Sequence, residues 1–184
     1  MERHIIDSPE GMRALAHPLR LAILRHLRST GPATVTSLAR QLEVSTASVS
    51  YHVQQLAKYG FVAAAPELAR NRKESWWQAT AQHSEWSAEA FGDEGVEAAG
   101  LLWREVASFH AAQIDEYQRE ARDWGPQWAA VTGPRDFRLH LTPHDMGALL
   151  DEIDSLVKRY QTAQTNQPDE AATATLVVYS YPHK

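Results

Sequence analysis

Between Ser45 and Lys58 the sequence STASVSYHVQQLAK brings Thr46, Ser48, Ser50, Tyr51, His52, Gln54 and Gln55 together and contains no Asp or Glu. Hydroxyl, amide and imidazole groups both donate and accept hydrogen bonds. Val49, Val53 and Leu56 recur at four- and three-residue steps, so in a helix they face inward. That leaves Ser48, Tyr51, His52 and Gln55 pointing outward, with Thr46, Ser50 and Gln54 on the flanks. Such a face suits the edges of base pairs: Gln pairs with adenine, and small or aromatic side chains pack on thymine methyls. The bland alternative is a solvated helix whose histidine caps or packs. Tyr51 argues most strongly against it, since an exposed large aromatic is unfavourable unless something covers it.

A second candidate group follows. Phe61–Ala65 and Ser75–Ala79 read as short strands, and LARNRK between them is polar, basic and turn-like. The spacing predicts a hairpin whose tip, over 68–74, carries Arg70, Arg72 and Lys73. Long cations there can meet phosphates or the adjacent minor groove, the alternative being an ordinary solvated turn. Arg20, Thr34, Thr36 and Lys58 are further candidates for phosphate contact, the two threonines because they precede a helix whose first amides are exposed.

These side chains need a scaffold, and the pattern supplies one. Ser8, Pro9 and Glu10 open a helix that Pro18 interrupts, so two helices meet at His17–Pro18, the second closed by Gly31 and Pro32. Thr36 and Ser45 are then read as N-caps of two further helices, with Val44 in the short turn between them and Gly60 after the second. Two helices so closely joined form a helix-turn-helix in which the second reads DNA. With the basic hairpin directly after it, the arrangement is a winged helix.

Composition is compatible with this reading. The net charge is −5 overall, yet residues 1–80 carry +4 and the remainder −9. A basic field suits a polyanion, and an acidic partner region discourages indiscriminate binding. Cysteine is absent, which excludes disulfides, thiolate nucleophiles and cysteine-ligated metals. No apolar run is long enough to span a bilayer and the N-terminus lacks the apolar stretch of a secretion signal, so a cytoplasmic protein without membrane contact is expected.

The rest of the chain reads as helical and acidic. SEWSAEAF suggests a short helical piece, Gly92–Gly95 an interruption, and Val96 to Ala121 a long amphipathic helix stopped at Trp124–Gly125–Pro126. So long a helix is more than a small winged domain can cover, which predicts a homodimer. Residues 135–141 alternate as a strand, Thr142–Pro143 with Asp145 starts a second amphipathic helix, 161–171 is a polar connection, and 173–182 is a last strand. The expected architecture is therefore α+β and mainly helical. It comprises a winged helix-turn-helix over 1–82, a helical dimerisation region over 83–128 and a strand-helix-strand module for dimerisation or ligand sensing over 129–184.

The segments ALAHPLRLAILRHL, VTSLARQLEVSTASVSYHVQQLAKYGFV and RNRKESWW together resemble the ArsR-type winged helix-turn-helix regulators, over about residues 8–80. The resemblance implies a homodimer that binds operator DNA with two recognition helices and usually represses, released by an effector. It assigns base or phosphate contacts to Ser48, Ser50, Tyr51 and His52, and wing contacts to Arg72 and Lys73. It does not extend to metal sensing. His83 and His110 are far apart, and His140 and His144 straddle a strand-to-helix junction, so no metal site and no cofactor are expected. Trp103, Tyr117, Trp124 and Trp128 could line a pocket for a small organic effector, against the alternative of core and dimer packing. Asp151, Glu152 and Asp154 lie on the solvent side of their helix, and neither a phosphate loop nor a nucleophile-base set is present, so catalysis is not expected. The remaining alternative is a winged-helix protein-interaction or architectural module without specific DNA recognition.

Overall fold

Arg3–Ile6 forms β1, and Ser8 then starts α1 (Pro9–Leu15), its Oγ accepting the Gly11 backbone N–H at 3.2 Å. Pro18 begins α2 (Pro18–Thr30), and Gly31 ends it at a positive φ of 89°. The break between the two helices has a second author besides the proline: His17 is extended, and its Nδ1 accepts the Leu19 N–H at 3.1 Å. The computed structural model describes residues 3–71, 74–162 and 171–183. It falls into two units, Met1–Gln118 and Arg119–Lys184.

In the first unit β2 (Ala33–Thr34) leads into α3 (Val35–Gln41), and α4 (Thr46–Lys58) follows after a short turn. The cap of α3 is Thr34, not Thr36. Thr34 is extended and exchanges hydrogen bonds with Ser37, each side chain accepting from the other's backbone N–H, so Val35 is already helical and Thr36 sits exposed in the first turn. Ser45 caps α4 as expected, accepting the Ser48 N–H at 3.1 Å. Glu43 occupies the left-handed position of the intervening turn at φ 54°, and Val44 packs half-buried against the core. That backbone reversal lets α3 and α4 cross over a shared apolar seam, with Leu38, Val49, Val53 and Leu56 fully buried.

The wing is shorter than predicted but in place: β3 (Val62–Ala64) pairs antiparallel with β4 (Trp76–Ala79), and β2 pairs with the other edge of β4. Its root is Phe61, fully buried, whose N–H donates to the Leu56 carbonyl and whose carbonyl accepts from Thr80 N–H. The stretch read as a short helical piece divides in two, strand through Trp86 and a single 3-10 turn at Glu89–Phe91. β5 (His83–Trp86) pairs in parallel with β1, Arg3 opposite His83 and Ile6 opposite Trp86. Arg28 of α2 fastens the turn that leads there, donating to the Ala81 carbonyl at 2.9 Å and to Ser84 Oγ at 2.8 Å. Burial without a carboxylate partner pushes its guanidinium down to about 10.

α5 (Gly92–Glu120) is the long helix, and Gly92–Gly95 is its first turn rather than an interruption. Ala98, Ala99 and Leu102 join the core of the winged unit, and Arg13 of α1 pairs with Glu94 at 2.7 Å. Gly95 lets the first turn of α5 fold tightly back on Ala88 and Phe91 just before it. A Cβ there would overlap the Ala88 carbonyl oxygen and lie 2.7 Å from Phe91 Cβ. Helix interiors ordinarily prefer Ala to Gly by about 1 kcal/mol. We expect the reverse at this position: Gly95→Ala should lower the urea midpoint, and a rise would contradict the packing assigned to the start of α5.

In the second unit α6 (Gly125–Ala129) is one short turn, and α7 (Pro143–Thr162) opens on the box predicted for it. Asp145 N–H donates to Thr142 Oγ1 at 3.2 Å, and Thr142 N–H donates back to Asp145 Oδ2 at 3.3 Å. Residues 135–141 and 173–182, expected as strands, carry no regular secondary structure. A strand exists only where a neighbour satisfies its backbone groups, and neither segment pairs with another among the described residues. Most of the expected connection, 163–170, lies outside the described residues.

Candidate nucleic-acid interface

The burial pattern of α4 sharpens its outer face. Thr46, Ala47, Tyr51, Gln54 and Lys58 form the fully exposed stripe, with Tyr51 59% exposed, whereas Ser48, Ser50, His52 and Gln55 are half-buried along its two margins. Tyr51 is thus central as expected. Ser48, His52 and Gln55 lie at the sides rather than the middle, and Ala47, overlooked because alanine carries no hydrogen-bonding group, lies on the stripe where a small apolar side chain can meet a thymine methyl.

The half-burial of His52 has a specific cause. Its ring lies 4.4 Å from that of His17, across the α2–α4 contact, and 5.1 Å edge-on from Tyr51. Desolvation, reinforced by the charges of His17 and Arg20, holds its pKa below the ordinary histidine value. His17 is lowered in the same way, first by burial and then by Arg20. Arg20 itself is half-buried, its Nη2 donating to the Arg13 carbonyl at 3.4 Å. The sequence had no means of pairing His17 with His52, which lie on different helices.

The wing contributes Arg70, which is exposed. Arg72 and Lys73 lie outside the described residues. What shapes the tip is an acid that the charge count conceals. Glu74 accepts the Arg70 backbone N–H at 3.0 Å, Asn71 Nδ2 at 3.2 Å and Trp76 Nε1 at 3.1 Å, and these bonds, the one from Arg70 foremost, hold its carboxyl below the usual range. Three donors converge on one carboxylate. Glu74 is therefore spent on one backbone N–H and two side chains of its own neighbourhood.

Of the other phosphate candidates, Thr34 uses its hydroxyl in the α3 cap, Thr36 is exposed beside it, and Lys58 lies with Nζ 5.2 Å from the centre of the Tyr59 ring. The four aromatics proposed for a pocket divide between the units. Trp103 and Tyr117 are on α5 in the first, and Trp124 with Trp128, edge-on at 6.0 Å, are in the second. Among the described residues no group of three or more His, Asp or Glu side chains is placed to hold a metal ion, and no helix is long and apolar enough to cross a membrane.

Helix-turn-helix, three-stranded wing and the helix that follows define a winged helix-turn-helix fold. A helix-turn-helix domain family matches residues 15–63, from the end of α1 to the first strand of the wing. No curated protein matches. Among solved structures the chain is similar to the regulator Tm0710 of Thermotoga maritima, at 16% identity, 83% coverage of this chain and 87% of that one, with a TM-score of 0.34. The adhesin competence repressor AdcR of Streptococcus pyogenes is 17% identical over 80% of this chain and 81% of its own, TM-score 0.34. Lactococcus lactis ZitR in complex with DNA is 14% identical over 78% and 74%, TM-score 0.33.

Proposed function

We propose that the chain is a sequence-specific double-stranded DNA-binding transcriptional regulator of the ArsR type, a homodimeric repressor that lays α4 in the major groove and the wing against the backbone. The observation that carries this is the first turn of α4. Ser45 caps the helix, and Ser48 stands at the position where a glutamate would complete a reciprocal cap, yet the helix has no acid in that turn or anywhere along its 13 residues. A helix selected for stability alone gains from an acid there. One that faces phosphate cannot carry it.

The stripe through Ala47, Tyr51 and Gln54, with Ser48 at its margin, then reads bases. Arg70, with Arg72 and Lys73 beside it in sequence, holds the backbone. The dimer reading draws support from α5, which exposes Val96 and Trp103 alongside its buried positions and Ile114 further on. The test compares wild type with Ser48→Ala/Tyr51→Ala in fluorescence anisotropy, on the DNA upstream of the protein's own gene and on a scrambled duplex. The double variant should lose roughly tenfold or more in its preference for the first duplex, since one good base contact is worth about 1–3 kcal/mol. Unchanged preference would favour a winged helix that serves architecture or protein contacts instead.

A further inference from the structure

We propose that His17, Arg20 and His52 form a binding site for one phosphodiester of the DNA backbone, at the junction of α2 and α4, and that this site takes up protons as it binds. The inference rests on the DNA-binding reading above and adds to it a residue, His17, and a dependence on pH.

His17 is fixed at the start of α2 because its Nδ1 accepts the Leu19 N–H, which leaves the neutral ring's proton on Nε2. Pro18 follows, and the first turn of α2 contains no acid. The His52 ring packs 4.4 Å away, beside the exposed Tyr51 of the reading face. Arg20, three residues after His17, completes the group. Its Nε and the Nδ1 of His52 are buried with no hydrogen-bond partner among the described residues, and Nη2 has only the long contact to the Arg13 carbonyl. Buried polar atoms of this kind ordinarily find partners, and each exception calls for a reason.

The charges facing the group make the reason specific. His52 faces His17 and Arg20, and Arg20 faces the phenols of Tyr51 and Tyr59. No carboxylate is among the charges acting on either of them. His17 faces Arg20 and, from α5, Glu105. Three nitrogen-bearing side chains therefore converge at the edge of the recognition helix with a single acid on one of them. An anion is the missing complement, and the anion that lies along the margin of a major-groove helix is a backbone phosphate.

In the free protein both imidazoles are held below their ordinary value, so their neutral forms support the fold above the unfolded histidine range. That support is lost as pH falls through their lowered values. A phosphodiester stays negative throughout and favours the imidazolium, so the complex holds more protons than its parts. Affinity for DNA should rise as pH falls, even while the free fold weakens.

The test is anisotropy of the full chain with a labelled mixed-sequence duplex at constant ionic strength, from about pH 8 to pH 6, a range that brackets the ordinary histidine pKa. Wild type should gain roughly tenfold in affinity, the equivalent of one proton taken up across one pH unit. His17→Asn, which keeps a capping side chain, and His52→Gln should each flatten that rise. Arg20→Gln should weaken binding at every pH and reduce the salt slope by about 0.9. In parallel, nitrogen-15 spectra of the wild-type rings should show the His17 and His52 titration midpoints moving upward when the duplex is added. That readout needs no variant and stands even if one fails to fold. Binding that is flat with pH, midpoints that do not move, or a rise that persists in both histidine variants would overturn the site and leave the DNA-reading helix untouched. A wild type that binds no duplex at any pH would overturn both.

Discussion

Ser48→Glu should make the protein more stable and a much poorer DNA binder. The third position of α4 faces the Ser45 cap, and a glutamate there can reach back to the cap's own backbone N–H while its charge meets the positive end of the helix. We expect a gain of about 0.3–1 kcal/mol, read as a higher urea midpoint. The same charge beside phosphate costs about 1–4 kcal/mol, depending on how far water is excluded, which is a loss of affinity of roughly 5-fold to nearly 1,000-fold in low-salt anisotropy. The opposite signs make the result informative. If affinity and stability fell together, damage to the helix would explain both. If affinity held, the first turn of α4 would not face DNA.

Phe61→Ala should have the largest effect on stability, about 3–5 kcal/mol. Phe61 is fully buried where α4 passes into the wing, bonded through its backbone to Leu56 and Thr80, with the ring centre of His4 in β1 4.6 Å away and the two rings tilted by 53°. Removing the ring opens a cavity between α4, the wing and β1 at once, and Phe61 is the largest fully buried side chain among the described residues. Urea unfolding followed by far-ultraviolet circular dichroism checks it. A loss below about 1 kcal/mol would mean that the junction collapses easily or is not packed as described.

What could be read from the residues, and what could not, divides by distance along the chain. Val49, Val53 and Leu56 were legible as the inner face of α4 because a 3.6-residue period is a local signal, and all three are fully buried. The Ser8, Ser45 and Thr142 caps were legible for the same reason. Thr34 lost to Thr36 in the reading because both are good caps and only the extended backbone of Thr34 with Ser37 three residues on decides between them. The β1–β5 pair joins segments about 80 residues apart and has no local signature. Gly95 reads as a break because glycine disfavours a helix interior, and its residue type alone does not show that a Cβ there would meet the Ala88 carbonyl.

At the interface the residue types were legible and their arrangement was not. Hydroxyls and amides announced a face able to read bases. Whether His52 joined that face depended on His17, a side chain on another helix. The alternation in 135–141 and 173–182 is present in the residues, but alternation supplies only one side of a sheet. Phe137, Leu139 and Leu176 are correspondingly exposed.

Selection from a pool of randomised DNA duplexes, with wild type beside Ser48→Ala/Tyr51→Ala, decides whether α4 reads base sequence. Wild type should enrich one motif, as two half-sites about one helical turn apart, and the double variant a relaxed or different one. No enrichment by wild type, or the same motif recovered with both proteins, would contradict it.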